Sequence, residues 1–358
     1  MFIILMNIFI RTDVHMLIGI GHIHRCLKLL SYIDGVHNIT FICKKYNNLD
    51  SKNKEYIKNI YDKITNKYTL IFIEIDSDNN IVKDDMSTWL GEDYTLDAIK
   101  TINKLDNCDI LIIDHYAINI NWELLVKKNV KKLIIIEDFV KRKHNCDYII
   151  NGIVNDSSLY KNLVNDNCKL LLGNEYLIIG NQFFNQNIKL REKNRISVFI
   201  SGCDYTNETS KIIKKLKIIN KNKRYNLDII VGGLNANYQE ILELCTEEYF
   251  NIHYNIDNIE EIFNKSYISI GALGQSLLER IALKIPSIVF SLSENQLLVS
   301  KELIDSGCFK YIGNIPVNYD NLLNEIIYID KNYDELIDNC DRYFNNNKLH
   351  ILFKDILL

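Results

Sequence analysis

Short apolar runs rich in β-branched residues recur along the first half of the chain: Asn7-Ile-Phe-Ile-Arg11, Ile39 to Cys43, Leu70 to Glu74, Ile110 to Asp114, Leu133 to Glu137 and Tyr148-Ile-Ile. Runs this short with no polar alternation suit strands buried on both faces of a parallel sheet. Helical patterns lie between them, such as His22 to Tyr32, where Ile23, Leu27, Leu30 and Ile33 recur at helical spacing, and Trp122 to Lys128. The alternation predicts βαβ units in a doubly wound sheet. After about residue 175 the pattern restarts with Ile196 to Ile200, Leu227 to Val231, Asn251 to Tyr254, Tyr267 to Ile270 and Ser287 to Phe290, so a second α/β domain is expected. The polar stretch from Leu172 to about Arg195 reads as the linker. The expected division is residues 1–175, residues 190–335, and a helical segment 336–358 that packs back on the first domain.

Length agrees, because 358 residues exceed one ordinary hydrophobic core. The opening stretch Met1 to Ile10 is apolar but has no basic leader region, and it reads as a first buried strand. No other run approaches the roughly 18 apolar residues of a membrane span. A formal net charge of -4, with no clustered basic excess, argues against a nucleic-acid partner. Nine cysteines, odd in number, scattered and without a CxxC pair, read as reduced thiols and suggest a cytoplasmic protein.

Chemistry concentrates after the first strand, in Phe9-Ile-Arg-Thr-Asp-Val-His-Met-Leu-Ile-Gly-Ile-Gly-His-Ile-His-Arg-Cys26. Gly19 and Gly21 allow a tight turn that leaves His22 at or near a helix N-terminus. That position favours neutral imidazole, as a general base requires; His22 as a simple helix cap is the competing reading. A dinucleotide fingerprint needs a third glycine where His24 stands, so NAD is disfavoured. His22, His24 and Cys26 alternate and point apart on a helix, so no metal site is expected, and no cofactor either. Asp114 with His115, and Glu137 with Asp138, end apolar strands, although a solvated or capping carboxylate is the commoner fate.

The same stretch resembles the N-terminal signature of the UDP-2,4-diacetamido-2,4,6-trideoxy-β-L-altropyranose hydrolases of pseudaminic acid biosynthesis, matched by Arg11, Asp13, Ile18, Gly19, Gly21, His22, Arg25 and Cys26. The resemblance continues at Ile112-Ile-Asp-His-Tyr116, Trp122-Glu123, Ile136-Glu-Asp138 and His144-Asn-Cys-Asp147. It returns at Ser201-Gly-Cys-Asp204 with Asn207, at Gly271-Ala-Leu-Gly-Gln-Ser-Leu-Leu-Glu-Arg280, and at Pro286 and Glu294-Asn-Gln296. It implies an α/β, GT-B-like fold of two Rossmann-like doubly wound parallel-sheet domains facing a cleft, with UDP held mainly by the second. Ligands of such sheets bind beyond the strand C-termini.

What the resemblance implies chemically is hydrolysis of a UDP-linked sugar at its anomeric carbon, with His22 activating water and Asp13 orienting it or binding sugar. Arg11, Arg25, Gly19, Gly21 and His115 become substrate-binding candidates, as do Gly202 and Asn207, with Arg11 or Arg25 expected either to hold the phosphate or to brace the loop. The backbone of Gly271 to Ser276, including Gly274, would hold the diphosphate at a helix N-terminus. Glu279, two to three residues into the helix of Leu277 to Leu283, would meet the ribose, and Asn295 and Gln296 the nucleotide or sugar. The family usually has glycine and serine where Leu273 and Gln275 stand, glycine at Ser201, and Arg-Pro at Gly180-Asn181; a leucine there is expected to crowd the pyrophosphate. A GT-B glycosyltransferase, or a UDP-sugar-binding protein without turnover, are the alternatives.

Overall fold

A computed structural model describes residues 5–15, 17–33, 35–46, 51–75, 80–82, 85–184, 190–292, 301, 303–344 and 348–357. The chain divides into two compact units, Met1–Ile178 with Asn347–Leu358, and Ile179–Asn346. Among the described residues no helix is long and apolar enough to cross a membrane.

The first unit is built on seven strands, β1 (Asn7–Arg11), β2 (Asn38–Lys45), β3 (Thr69–Glu74), β4 (Ile110–Ile113), β5 (Lys132–Ile136), β6 (Tyr148–Asn151) and β7 (Lys169–Leu172), in the order β3-β2-β1-β4-β5-β6-β7. Every pairing is parallel. Side chains alternate faces along each strand. Ile8, Ile10, Phe41, Cys43, Ile112 and Ile134 pack with α1 (Gly21–Leu29) and α2 (Ser51–Thr65), whereas Phe9, Ile42, Leu111, Ile113 and Leu133 pack with α3 (Tyr94–Ile102) and α4 (Ile120–Val126). Burial on both faces explains why the strands read as unbroken apolar runs, each fully buried large apolar side chain contributing about 1.5–3 kcal/mol.

In the second unit β8 (Glu192–Phe199), β9 (Asn226–Val231), β10 (Phe250–Tyr254), β11 (Ser266–Ala272), β12 (Ser287–Ser291) and β13 (Lys310–Asn314) form a parallel sheet in the order β10-β9-β8-β11-β12-β13. It is flanked by α5 (Glu208–Ile219), α6 (Tyr238–Leu244), α7 (Ile259–Lys265), α8 (Gln275–Ala282), α9 (Leu322–Lys331) and α10 (Tyr333–Tyr343). Ile196, Val198, Leu227, Ile229, Ile268, Ile270 and Phe290 form the centre of its core.

Three boundaries differ from the expected division. Residues Glu192 to Arg195, read as linker, begin β8, because Arg195 is held by Asp228 of β9 at 2.8 Å. Helix α10, read as part of the returning segment, stays with the second unit: Leu336 and Cys340 are buried there and Tyr333 stacks on Tyr267 at 4.1 Å. The return is confined to α11 (Leu349–Leu357), whose Phe353 and Ile356 are buried in the first unit's core.

In each sheet the strand order reverses once beside the first strand, between β1 and β4 and between β8 and β11. Open α/β sheets bind ligands beyond the strand C-termini at such reversals. The histidine turn follows β1, Asp114 follows β4, Ser201 to Asp204 follow β8, and the Gly274 turn follows β11.

Candidate active site

His22 is the second residue of α1, a helix with no acid in its first turn. The turn before it needs Gly19, whose φ is +88° and whose N–H donates to the His15 carbonyl at 2.7 Å. A Cβ at Gly19 or Gly21 would meet nothing within 4 Å, so these glycines border open space.

The His22 imidazole lies against the Tyr116 ring, centroids 4.4 Å apart and edge-on, with Trp89 at 6.3 Å. Its Nδ1 is 2.6 Å from Asp114 Oδ1. An ionised carboxylate only accepts, so Nδ1 carries the proton and donates, and in the neutral ring the lone pair falls on Nε2. Among the described residues Nε2 has no hydrogen-bond partner, yet it is not one of the fully enclosed polar atoms.

Asp114 is fully buried, and burial alone would raise its carboxyl. Arg25, one turn after His22 on the same helix face, reverses this: its Nε donates to Oδ2 at 2.7 Å and its terminal nitrogen to Oδ1 at 2.6 Å. With His22 it holds the acid far below the usual carboxylate range. The second terminal nitrogen of Arg25 donates to both oxygens of Asp138 at 2.6 and 2.7 Å, and the Tyr116 hydroxyl donates to Asp138 as well. Arg25 is thus a brace between the two carboxylates Asp114 and Asp138.

Asp13 does not touch His22. It is fully buried, receiving Arg11 at 2.6 Å and the Lys44 backbone N–H at 2.7 Å. Arg11 is fully buried too and donates to Asp97 at 2.8 Å, an acid that also pairs with Lys44 at 2.9 Å and accepts from the Trp122 indole at 2.8 Å. His115 accepts from the Ala117 N–H on Nδ1 at 3.2 Å and turns Nε2 toward Asp13 Oδ2 at 3.2 Å, within ion-pair reach but not aligned as a hydrogen bond. Burial lowers its pKa despite Asp13. Arg11, Asp13 and His115, candidates for the substrate side, are all buried beneath the histidine turn and engaged with one another. The orienting carboxylate is Asp114.

A second buried chain holds the neighbouring loop. His144 is 2.6 Å from Glu123 and 2.7 Å from Glu137, and Arg142 donates to Glu137 at 2.6 Å and to the carbonyls of Tyr116 and Ile118. Burial would lower the His144 pKa, but the two glutamates push it up to about 9.

In the second unit α5 and α8 begin beyond the C-terminal ends of β8 and β11, and their first turns differ in charge. On α5, Asp204 accepts from the Glu208 and Thr209 N–H groups at 2.9 Å, with Glu208 itself buried in the first turn. Those acids already satisfy that end and repel an anion. The Asn207 amide, expected at the ligand, donates to Glu240 at 2.7 Å, and Gly202 takes part in the tight approach to Gly232, where a Cβ would lie 2.3 Å from the Gly202 carbonyl.

By contrast α8 begins with no side-chain cap and no acid. Gly274 precedes it at φ +143°, a conformation reserved for glycine, with open space where a Cβ would stand. Gly271 lies within β11 and the Leu273 N–H donates to the Phe290 carbonyl at 2.8 Å, so neither belongs to the first turn of α8, which starts after Gly274. Leu273 is buried, 3% exposed. Glu279 is the fifth residue of α8, a full turn in, and is buried. Asn295 and Gln296 lie outside the described residues.

No family model matches this chain. A curated uncharacterized protein of Methanocaldococcus jannaschii is 26% identical over 347 residues, 92% of this chain and 63% of that protein. The Campylobacter jejuni UDP-2,4-diacetamido-2,4,6-trideoxy-beta-L-altropyranose hydrolase is 27% identical over 172 residues, 46% of this chain and 59% of its own. A Helicobacter pylori protein named as pseudaminic acid cytidylyltransferase and the same hydrolase is 24% identical over 328 residues, covering 88% of this chain and 51% of that one. The chain thus spans about half to two thirds of the length of these relatives. Among solved structures, Phytolacca americana UGT2 complexed with UDP-2fluoro-glucose and pterostilbene aligns at TM-score 0.65, 10% identity and 98% of both chains. A putative UDP-N-acetylglucosamine 2-epimerase from Listeria monocytogenes aligns at TM-score 0.58 and 14% identity, over 97% of this chain and 94% of that one. The fold is GT-B-like, with two Rossmann-like parallel-sheet domains.

Proposed function

We propose that this chain hydrolyses the bond between UDP and the anomeric carbon of a 2,4-diacetamido-trideoxyhexose, as its resemblance to the altropyranose hydrolases implies. The observation that carries the reading is the His22 to Asp114 hydrogen bond, which leaves a lone pair on Nε2. Nε2 takes a proton from water as the water oxygen bonds to the anomeric carbon. The carbon to phosphate-oxygen bond breaks on the opposite face, so the configuration inverts and UDP departs. Asp114 holds the tautomer and offsets the imidazolium charge, in the manner of the third member of a catalytic triad. The first turn of α8 receives the negative charge on the leaving diphosphate. The two curated hydrolases among the relatives support this choice of reaction.

The test is to incubate the purified chain with the UDP-linked sugar and follow free UDP and reducing sugar, with and without an acceptor alcohol. The reading requires UDP release without acceptor and its loss in His22→Ala. A His22→Ala protein releasing UDP at the wild-type rate overturns it, and strict dependence on an acceptor assigns the site to transfer instead.

A further inference from the structure

Arg280, near the end of α8, is fully buried, and among the described residues no carboxylate is paired with it. Its two terminal nitrogens donate to neutral acceptors, the Ser269 hydroxyl at 3.3 Å and the Ala272 carbonyl at 3.1 Å, while its buried Nε has no acceptor. Arg11, equally buried in the first unit, has Asp13 at 2.6 Å and Asp97 at 2.8 Å. Burial lowers the Arg280 pKa to about 10 against the field of Glu279, which leaves the group cationic at neutral pH. A buried charge without a counterion is costly and is normally paired.

The position of the guanidinium indicates where a counterion belongs. It packs directly beneath Gly271, where a Cβ would lie 2.4 Å from its nearer terminal nitrogen, and it grips the carbonyl of Ala272. Both residues lead into the Gly274 turn and the acid-free N-terminus of α8. The helix dipole and the cation therefore add at one turn, whereas at α5 Asp204 and Glu208 oppose the dipole.

We propose that Arg280 is a buried positioning residue for the diphosphate of the ligand: it acts through one layer of backbone to make the Gly274 turn an anion site, without touching the anion. The inference rests on the reading that a UDP-sugar is the substrate, and it assigns Arg280 to phosphate charge rather than to uridine. A unit charge acting across one backbone layer in a partly buried site changes affinity by about tenfold or more.

The experiment titrates the full chain with UDP, inorganic pyrophosphate and uridine, comparing wild type with Arg280→Met and Arg280→Lys. Arg280→Met is expected to weaken UDP and pyrophosphate at least about tenfold while leaving uridine within twofold, and Arg280→Lys to retain most of the wild-type affinity for both anions. Equal weakening of uridine and UDP would mark a merely structural role and overturn the proposal. Should Arg280→Met not fold, Arg280→Gln is read by the same ratio. Wild type that binds UDP and pyrophosphate with no change in the neutral variants defeats this inference alone; wild type that binds neither defeats the functional reading with it.

Discussion

Asp114 Oδ1 stands 2.6 Å from Nδ1 of His22, although 92 residues separate them in sequence. The pairing arises because β4 lies beside β1 at the point where strand order reverses, so the first residue past one strand meets the helix that follows the other. In Asp114→Asn the side-chain amide keeps the shape but presents N–H or a weaker neutral acceptor, and the imidazole loses the partner that fixes its tautomer. UDP release is expected to fall by up to about 10⁴-fold, the loss found when the third group of a triad is neutralised. UDP affinity, measured by titration, is expected to stay within a few fold. A variant with kcat near wild type would separate Asp114 from the chemistry.

Acid should unfold the first unit through the same carboxylates. Burial tends to raise Asp114 and Asp13, but Arg25 with His22, and Arg11, hold both well below their unfolded range. A depressed folded pKa contributes stability that is fully present above the unfolded value of about 3.9 and is lost as pH falls through the folded value. The melting temperature is therefore expected to be level from pH 7 to about 5 and to fall steeply below about 4. Asp114→Asn should start lower and show a shallower acid limb in a calorimetric pH series.

At the alkaline end His144 acts with opposite sign. Its pKa is raised to about 9, so the stability it supplies is fully present below the unfolded value of about 6.5 and disappears as pH rises through 9. The contribution is at most about 3 kcal/mol. Wild type is expected to lose stability to denaturant between about pH 6.5 and 9.5, and His144→Gln, which cannot carry the charge, to show little change across that window. A wild-type curve flat to pH 10 would remove the charged bridge between Glu123 and Glu137.

Much of the architecture was legible because buried parallel strands need apolar residues on both faces. Ile110 to Ile113 and Leu133 to Ile136 announce themselves in that way. The edge strands β7 and β13 were missed for the converse reason: Lys169-Leu-Leu-Leu172 lacks β-branched residues, and Lys310-Tyr-Ile-Gly-Asn314 carries a glycine at φ +111° and no fully buried residue. His22 could be read locally, since its glycines and helix start are its neighbours in sequence. Its carboxylate could not, because proximity favoured Asp13, while strand order delivers Asp114. The one available signal was an acid directly after four fully buried residues, a place where solvation is scarce and a partner is required. Arg280 gave no local sign at all, since the absence of an acid partner among the described residues is visible only after packing.

Gly274 offers a test confined to backbone. At φ +143° any other residue is strained, but the space where a Cβ would stand is open, so Gly274→Ala introduces strain without a clash. Such conformations cost of order 1–3 kcal/mol in residues other than glycine. The protein is expected to fold, with the second unit less stable by about that amount in urea. If the first turn of α8 holds the diphosphate, relief of the strain will rotate its N–H groups, and UDP and pyrophosphate should weaken together by about tenfold or more for each 1.4 kcal/mol lost. Uridine should be spared, because it carries no phosphate. Unaltered pyrophosphate binding in a variant whose stability has dropped as expected would place the anion away from this turn.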